Sequence, residues 1–231
     1  MIQLPFADRA EAGRLLAAEL AMLKLPASVI VLALPRGGLP VGLEVAKKLQ
    51  APLDVVIVRK LGVPWQPELA MGAIASGSVE ILDQDLIRAL GISRHEIDAV
   101  IAKERAEVER RERLYRKGRP ALDLRGKTVL LVDDGLATGS TMLVAARYVR
   151  SLKPARMLIV VPVGSVQACE RLKTEADDCI CLATPEPFVA VGDWYADFPQ
   201  VNDSEVQRFL EAGRLSGKGN RSELLTRPTA L

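Results

Sequence analysis

Short, predominantly apolar runs recur along the chain at Ser28 to Leu34, Leu53 to Val58, Thr128 to Val132 and Met157 to Val163, with a shorter one at Cys179 to Leu182. Apolar residues on consecutive rather than alternate positions predict strands buried on both faces. Between these runs, Leu39 to Leu49, Ser140 to Leu152 and Ser165 to Lys173 carry apolar residues three and four apart, the spacing of helices resting on a sheet. The alternation predicts an α/β fold built from βαβ units around a parallel sheet.

Residues 8–24 predict an amphipathic helix ahead of the first strand, outside the regular winding, with Leu15, Leu16, Ala18, Leu20 and Leu23 broadly on one side. Ser93 followed by Glu96 is a capping box, and its helix runs to about residue 117, where Gly118 and Pro120 stop it. Within it, Lys103 to Arg116 alternates acids and bases at helical spacing. This reads as a solvated face laced with weak ion pairs, with a partner-binding face as the alternative. No internal repeat is visible.

Composition narrows the class. The chain has 231 residues, 49% hydrophobic and 26% charged, enough for one sizeable core and unlike disordered or fibrous chains. No apolar stretch approaches the roughly 20 residues of a spanning helix, and residues 1–8 lack the basic start and apolar run of a signal peptide. A soluble, cytoplasmic protein without a membrane partner is expected. The formal charge is +2, but Arg214, Lys218, Arg221 and Arg227 against Glu223 put +3 in residues 214–231, which read as a loose tail. The remaining body is near neutral, so no nucleic-acid partner is expected. Cys169, Cys179 and Cys181 lack disulfide or metal spacing and read as reduced packing residues. His95, the one histidine, falls in the first turn of a charged helix and carries no expected role.

The most informative stretch is Val129-Leu130-Leu131-Val132-Asp133-Asp134-Gly135-Leu136-Ala137-Thr138-Gly139-Ser140-Thr141. A buried strand ends in two carboxylates, a small loop follows, and a hydroxyl-rich turn opens a helix. Ligands of open α/β sheets bind beyond the carboxyl ends of strands. Thr138 to Thr141 can offer N–H groups and hydroxyls to a phosphate at the positive end of a helix. Asp133 and Asp134 would repel a phosphate and suit sugar hydroxyls or a magnesium ion. One loop thus suits a sugar phosphate gripped at both ends.

These residues resemble the signature of the type I phosphoribosyltransferases: four apolar residues, two acids, three variable residues, Thr-Gly and small hydroxyl residues. The resemblance covers about residues 25–200. It implies about five parallel strands and a small hood, here one domain over residues 1–213, with the core at about 25–183 and the hood at about 1–24 and 184–213. The implied activity is magnesium-dependent transfer of ribose 5-phosphate from phosphoribosyl pyrophosphate (PRPP) to a nitrogenous base, as in nucleotide salvage, with a homodimer as the implied assembly. By the same resemblance Asp133 and Asp134 hold the ribose hydroxyls and the metal, and Gly135 with Ala137 to Thr141 hold the 5-phosphate. The alternative is a PRPP-sensing regulator that keeps the fold.

Three further stretches extend this reading. Leu34-Pro35-Arg36-Gly37-Gly38 is a strand end running into a helix, where glycines let backbone approach an anion and Arg36 adds charge. Beside the first motif it resembles the family's pyrophosphate loop, with a cis peptide expected at Pro35–Arg36 or Arg36–Gly37. Val58-Arg59-Lys60-Leu61-Gly62 reads as a strand end followed by two cations for a departing pyrophosphate, resembling a segment of adenine phosphoribosyltransferases. The Gly- and Pro-studded stretch after it, to Glu68, matches the mobile flap in position, and Glu68 is either a group acting on the base or a solvated side chain. Finally, four of nine aromatics fall between Phe188 and Phe198. They read either as a stacking surface for a base, with Phe188 the candidate, or as a cluster pinning the hood. One departure from the hypoxanthine and guanine enzymes stands out: the aspartate they carry before the signature threonine is Ala137 here, as in the adenine and uracil enzymes.

Overall fold

The computed structural model describes residues 2–26 and 28–216, with the side chains of Glu68, Ser78, Leu215 and Ser216 outside that description. The expectations for Glu68 and for the tail beyond residue 216 therefore lie outside the described part. In chain order the elements are α1 (Arg9–Met22), β1 (Val29–Ala33), α2 (Gly38–Leu49), β2 (Leu53–Val55), β3 (Val58–Val63), β4 (Gln66–Ala75) and β5 (Val79–Leu82). There follow α3 (Gln84–Leu90), α4 (Arg94–Arg116), β6 (Thr128–Val132), α5 (Ser140–Ser151), β7 (Arg156–Val163), α6 (Val166–Lys173), β8 (Asp178–Ala183) and α7 (Asp203–Ser216).

The main sheet has five parallel strands in the order β2-β1-β6-β7-β8, which is the expected α/β architecture. Its strands are apolar at consecutive positions because each face is covered. Val31, Leu130 and Leu158 point into one core with α1, α2 and α4, whereas Leu32, Leu131 and Ile159 point into another with α5 and α6. No described helix is long and apolar enough to cross a membrane.

Three expectations need correction. The run Leu53 to Val58 is two strands, not one. β2 pairs with β1 only as far as Val55, and from Val58 the chain pairs with Ala75 in a separate antiparallel sheet of three strands, β3-β4-β5. Both halves are buried, so the apolar pattern carries no mark of the break. The flap region is consequently a hairpin, and Arg59 and Lys60 lie within β3, opposite Ile74 and Ala73, rather than after a strand end. A side chain at Gly62 would meet the Pro67 carbonyl oxygen at 2.4 Å, so the shift of register there requires glycine. Third, α1 buries Leu16, Ala17 and Leu20 in the core that α2 shares and Ala12 beside Phe6 and Val163, while Leu15, Ala18 and Leu23 face solvent.

The capping box is formed as expected, with Ser93 N donating to Glu96 Oε2 at 2.9 Å. The charges of α4 are more than a solvated face. Arg59 of β3 donates to Glu104 at 2.7 Å, Arg110 reaches Asp203 of α7 at 3.2 Å, and Arg116 reaches Asp54 of β2 at 2.6 Å. The Arg116–Asp54 pair is nearly enclosed, and Arg116 also donates to the Val55 carbonyl at 2.9 Å. Removing one member of a buried pair strands the other charge. Asp54→Ala is therefore expected to lower unfolding free energy by about 3–5 kcal/mol in urea titrations, against less than about 1 kcal/mol for removing an exposed pair such as Arg94–Asp98.

Candidate active site

The chain leaves β1 toward β2 on one side of the sheet and returns at β6 on the other, so the carboxyl ends of β1 and β6 flank a topological switch point. The loops after these two strands, residues 34–38 and 133–139, lie side by side, with Leu34 N donating to the Val132 carbonyl at 2.8 Å. Their approach is so close that a Cβ on Gly37 would sit 2.1 Å from Asp134 Oδ2, and one on Gly38 would sit 2.6 Å from the Val132 oxygen. Gly38, which faces backbone, can hold only glycine, and a side chain at Gly37 would have to displace the Asp134 carboxylate. The peptide between Pro35 and Arg36 is cis, at one of the two places expected.

Asp133 and Asp134 meet at the head of the second loop. The Asp134 amide donates to Asp133 Oδ1 at 2.9 Å. Burial, and then the neighbouring Asp134 charge, push the Asp133 carboxyl well above its ordinary value. Asp134 Oδ2 accepts from Arg9 Nε at 2.7 Å, and its carbonyl accepts from the Tyr195 hydroxyl at 2.5 Å. Among the described residues no set of three or more His, Cys, Asp or Glu side chains gathers as a metal cage. A divalent cation such as magnesium would relieve the repulsion between the two adjacent carboxyl groups, and Asp133 and Asp134 are the residues that would hold it.

From Gly135 onward the loop is stitched to the end of β7. Leu136 N donates to the Val163 carbonyl at 3.0 Å, and Ser165 Oγ donates to the Ala137 carbonyl at 2.7 Å. Ala137, Thr138 and Thr141 stay exposed at the opening of α5, with Thr138 Oγ1 and Ser140 Oγ 3.1 Å apart. Gly139 takes a φ of 70° and packs against Ala168 and Leu172 of α6, which sets the loop's turn into the helix. Amide groups and hydroxyls at a helix start make an anion seat.

The two segments expected to form the hood meet, one from each end of the described chain. Phe6 bridges Tyr195, with Phe6 N donating to the Trp194 carbonyl at 2.9 Å and Ala196 N to the Phe6 carbonyl at 2.7 Å. Tyr195 stacks on Phe198 with centroids 4.9 Å apart, and burial raises its hydroxyl pKa. Phe6, Tyr195 and Phe198 form a pinning cluster. Phe188 packs against it, its ring 6.1 Å from that of Trp194, and also borders an open cleft of about 530 Å³ with Val166, Gln167, Glu186 and Pro187.

The cations expected to receive a pyrophosphate are held in different ways. Arg36 stands beside the Gly37-Gly38 turn, 3.8 Å from Asp203 Oδ1 at the start of α7. Asp203 also accepts from the Tyr115 hydroxyl at 2.6 Å; this bond, more than the arginines around it, lowers its carboxyl pKa. Arg59 is engaged by Glu104. His95 is exposed on α4, away from these loops, and Cys169, Cys179 and Cys181 are free thiols, the first two buried. Sequence reasoning missed Arg9, Tyr195 as a donor to Asp134, and Asp203. Arg9 follows a helix cap and carries no local signal, because its partners lie 125 and 190 positions away.

Because its folded pKa is raised above the ordinary 3.8, Asp133 contributes most stability at low pH and loses it as pH rises through the folded value. In magnesium-free buffer, Asp133→Asn is expected to melt higher than the wild type, with the gap widening as pH rises above the ordinary 3.8 and levelling once it has passed the folded value. A gap independent of pH between these limits would contradict the assignment.

Comparison with known proteins agrees with this geometry. The sequence profile of the phosphoribosyl transferase domain matches residues 10–197. Proteins from two strains of Mycobacterium tuberculosis, each named "Putative phosphoribosyl transferase", are 47% identical over 206 residues, 89% of this chain. The chain spans about half the length of these curated relatives, 46%. The crystal structure of TT1426 from Thermus thermophilus superposes with a TM-score of 0.81 at 43% identity, covering 89% of this chain and 97% of that one. With its signature loop built at the switch point of a five-stranded parallel sheet, this chain belongs to the phosphoribosyl transferase domain family.

Proposed function

We propose that the protein transfers ribose 5-phosphate from PRPP to a nitrogenous base with release of pyrophosphate. The observation that carries this reading is the meeting, at one switch point, of an acid pair, an anion seat at the start of α5, and the Arg36-Gly37-Gly38 turn. Each suits a different part of one substrate. The backbone and hydroxyls of Ala137 to Thr141 hold the 5-phosphate, Asp133 and Asp134 hold the ribose 2- and 3-hydroxyls, and the Gly37-Gly38 amides with Arg36 receive the pyrophosphate. Lys60 of β3 adds the second cation in this reading, next to Arg59, which is paired with Glu104. Magnesium, bound by the acid pair together with substrate oxygens, supplies charge neutralisation to the leaving group.

In the reaction the bond from the ribose anomeric carbon to the pyrophosphate oxygen breaks and a bond to a ring nitrogen of the base forms. The cleft beside Phe188 suits the base, which can lie against the ring with its edge toward Gln167 and Glu186. Ala137 cannot exchange a proton with the purine ring, which disfavours hypoxanthine and guanine, and the Glu186 carboxylate can accept from an exocyclic amino group such as that of adenine.

Incubation with PRPP, magnesium and a panel of adenine, uracil, orotate, hypoxanthine and guanine is expected to release pyrophosphate with adenine well ahead of hypoxanthine and guanine. Efficient use of hypoxanthine or guanine would overturn the acceptor assignment. PRPP binding without turnover of any base would shift the reading to a PRPP-responsive regulator. Arg36→Met is expected to cut turnover about 100-fold while changing ribose 5-phosphate affinity less than about threefold. Equal losses in both would place Arg36 with the wrong part of the substrate.

A further inference from the structure

Arg9 is the first residue of α1 and only 8% exposed, yet its guanidinium reaches one of the two signature acids. Nε donates to Asp134 Oδ2 at 2.7 Å, Nη1 donates to the Pro199 carbonyl at 2.7 Å, and Cζ lies 3.6 Å from the centre of the Phe198 ring. Two of these three contacts are with the hood, so the guanidinium stays in place whether or not a ligand reaches Asp134. The Asp134 oxygen it holds is also the one nearest Gly37, since a Cβ there would be 2.1 Å from Oδ2 and 3.1 Å from Oδ1. Oδ2 is thereby wedged between Arg9 and the pyrophosphate loop, and Oδ1 is the oxygen directed away from that wedge.

Hood attachment does not call for this charge. The Tyr195 hydroxyl on the Asp134 carbonyl and the packing of Phe6, Ala12 and Tyr195 on Val163 of β7 already fasten the hood to the core. A nearly enclosed ion pair is, moreover, a weak stabiliser compared with apolar packing of the same volume. The electrostatics of the acid pair do call for it. PRPP brings a phosphate and a pyrophosphate to a site headed by two adjacent carboxylates, and uncompensated acids would repel it.

We infer that Arg9 is a positioning residue for substrate binding: it fixes the Asp134 carboxylate with Oδ1 presented to the ribose hydroxyls and cancels one negative charge where the anionic substrate enters. This inference rests on the reading of Asp133 and Asp134 as the ribose-binding pair.

A double-mutant cycle with PRPP and magnesium, read by titration calorimetry and steady-state kinetics, tests it. Arg9→Gln is expected to weaken PRPP binding about tenfold or more and to raise KM accordingly, with kcat changed less than about threefold. Arg9→Lys, which keeps the charge without the fork, is expected to fall between wild type and Arg9→Gln. In an Asp134→Asn background, which itself should bind about tenfold more weakly, Arg9→Gln is expected to cost less than about twofold more. Phe198→Leu loosens the hood stack but leaves the Asp134 contact, and is expected to change PRPP affinity less than about threefold.

Equal penalties for Arg9→Gln in both backgrounds, or a Phe198→Leu defect as large as that of Arg9→Gln, would overturn the inference and leave Arg9 a hood anchor. Should the glutamine variant not fold, Arg9→Lys in the same two backgrounds carries the cycle. Unchanged PRPP affinity in Asp134→Asn alone would instead remove the reading of the acid pair, and the inference with it.

Discussion

Two carboxylates at the end of one buried strand repel each other, and a protein that keeps both must surround them with compensation. Here the compensation comes from several sides. The Asp134 amide bonds back to Asp133, Arg9 pairs with Asp134, and the Asp133 carboxyl is pushed toward its neutral form. Asp134 also takes space, and the loop after β1 gives it that space by having no side chain at Gly37. The glycines of one motif are thus explained by the acids of the other. The hood is drawn into the same arrangement through Tyr195, whose hydroxyl bonds to the Asp134 carbonyl.

Around this centre the helices divide the work. α5 begins at the anion seat and packs beneath the β3-β4-β5 sheet, whereas α4 runs across the other side and is tied by charged side chains to β2, β3 and α7. Asp203 is where those ties come nearest the site, meeting Tyr115 and Arg110 of α4 and Arg36 of the pyrophosphate loop. Tyr115 is held protonated, its pKa raised by burial to about 12, so its hydroxyl is a dependable donor to Asp203 at neutral pH. The orientation of Arg36 therefore depends on a helix at the far end of the described chain.

Much of this arrangement can be read from sequence, and the limits have physical causes. The parallel sheet is legible because strands such as Thr128–Val132 are buried on both faces and so are apolar at nearly every position. The acid pair and the hydroxyl turn are legible because their chemistry is local, contained in nine consecutive residues from Asp133 to Thr141. The split between β2 and β3 is not legible, since Val56 and Ile57 are as apolar as the strands on either side. Nor are Arg9 and Asp203: each is a charged residue at the start of a helix, indistinguishable from a solvated one until distant elements are brought beside it.

The hood carries a consequence for how the protein reaches its working form. Phe6 and Tyr195 are bridged across almost the whole described chain, so a segment made early on the ribosome waits for one made much later. Contacts so distant in sequence are slow to form, because a long loop must close before they repay its entropy. The strands of the parallel sheet can pair while Arg9 and Tyr195 are still unplaced, leaving the acid pair without two of its partners. Synthesis halted short of Phe198 would then yield a chain that carries its signature loop but lacks both the hood stack and α7, whose Val206 and Leu210 complete one of the two cores.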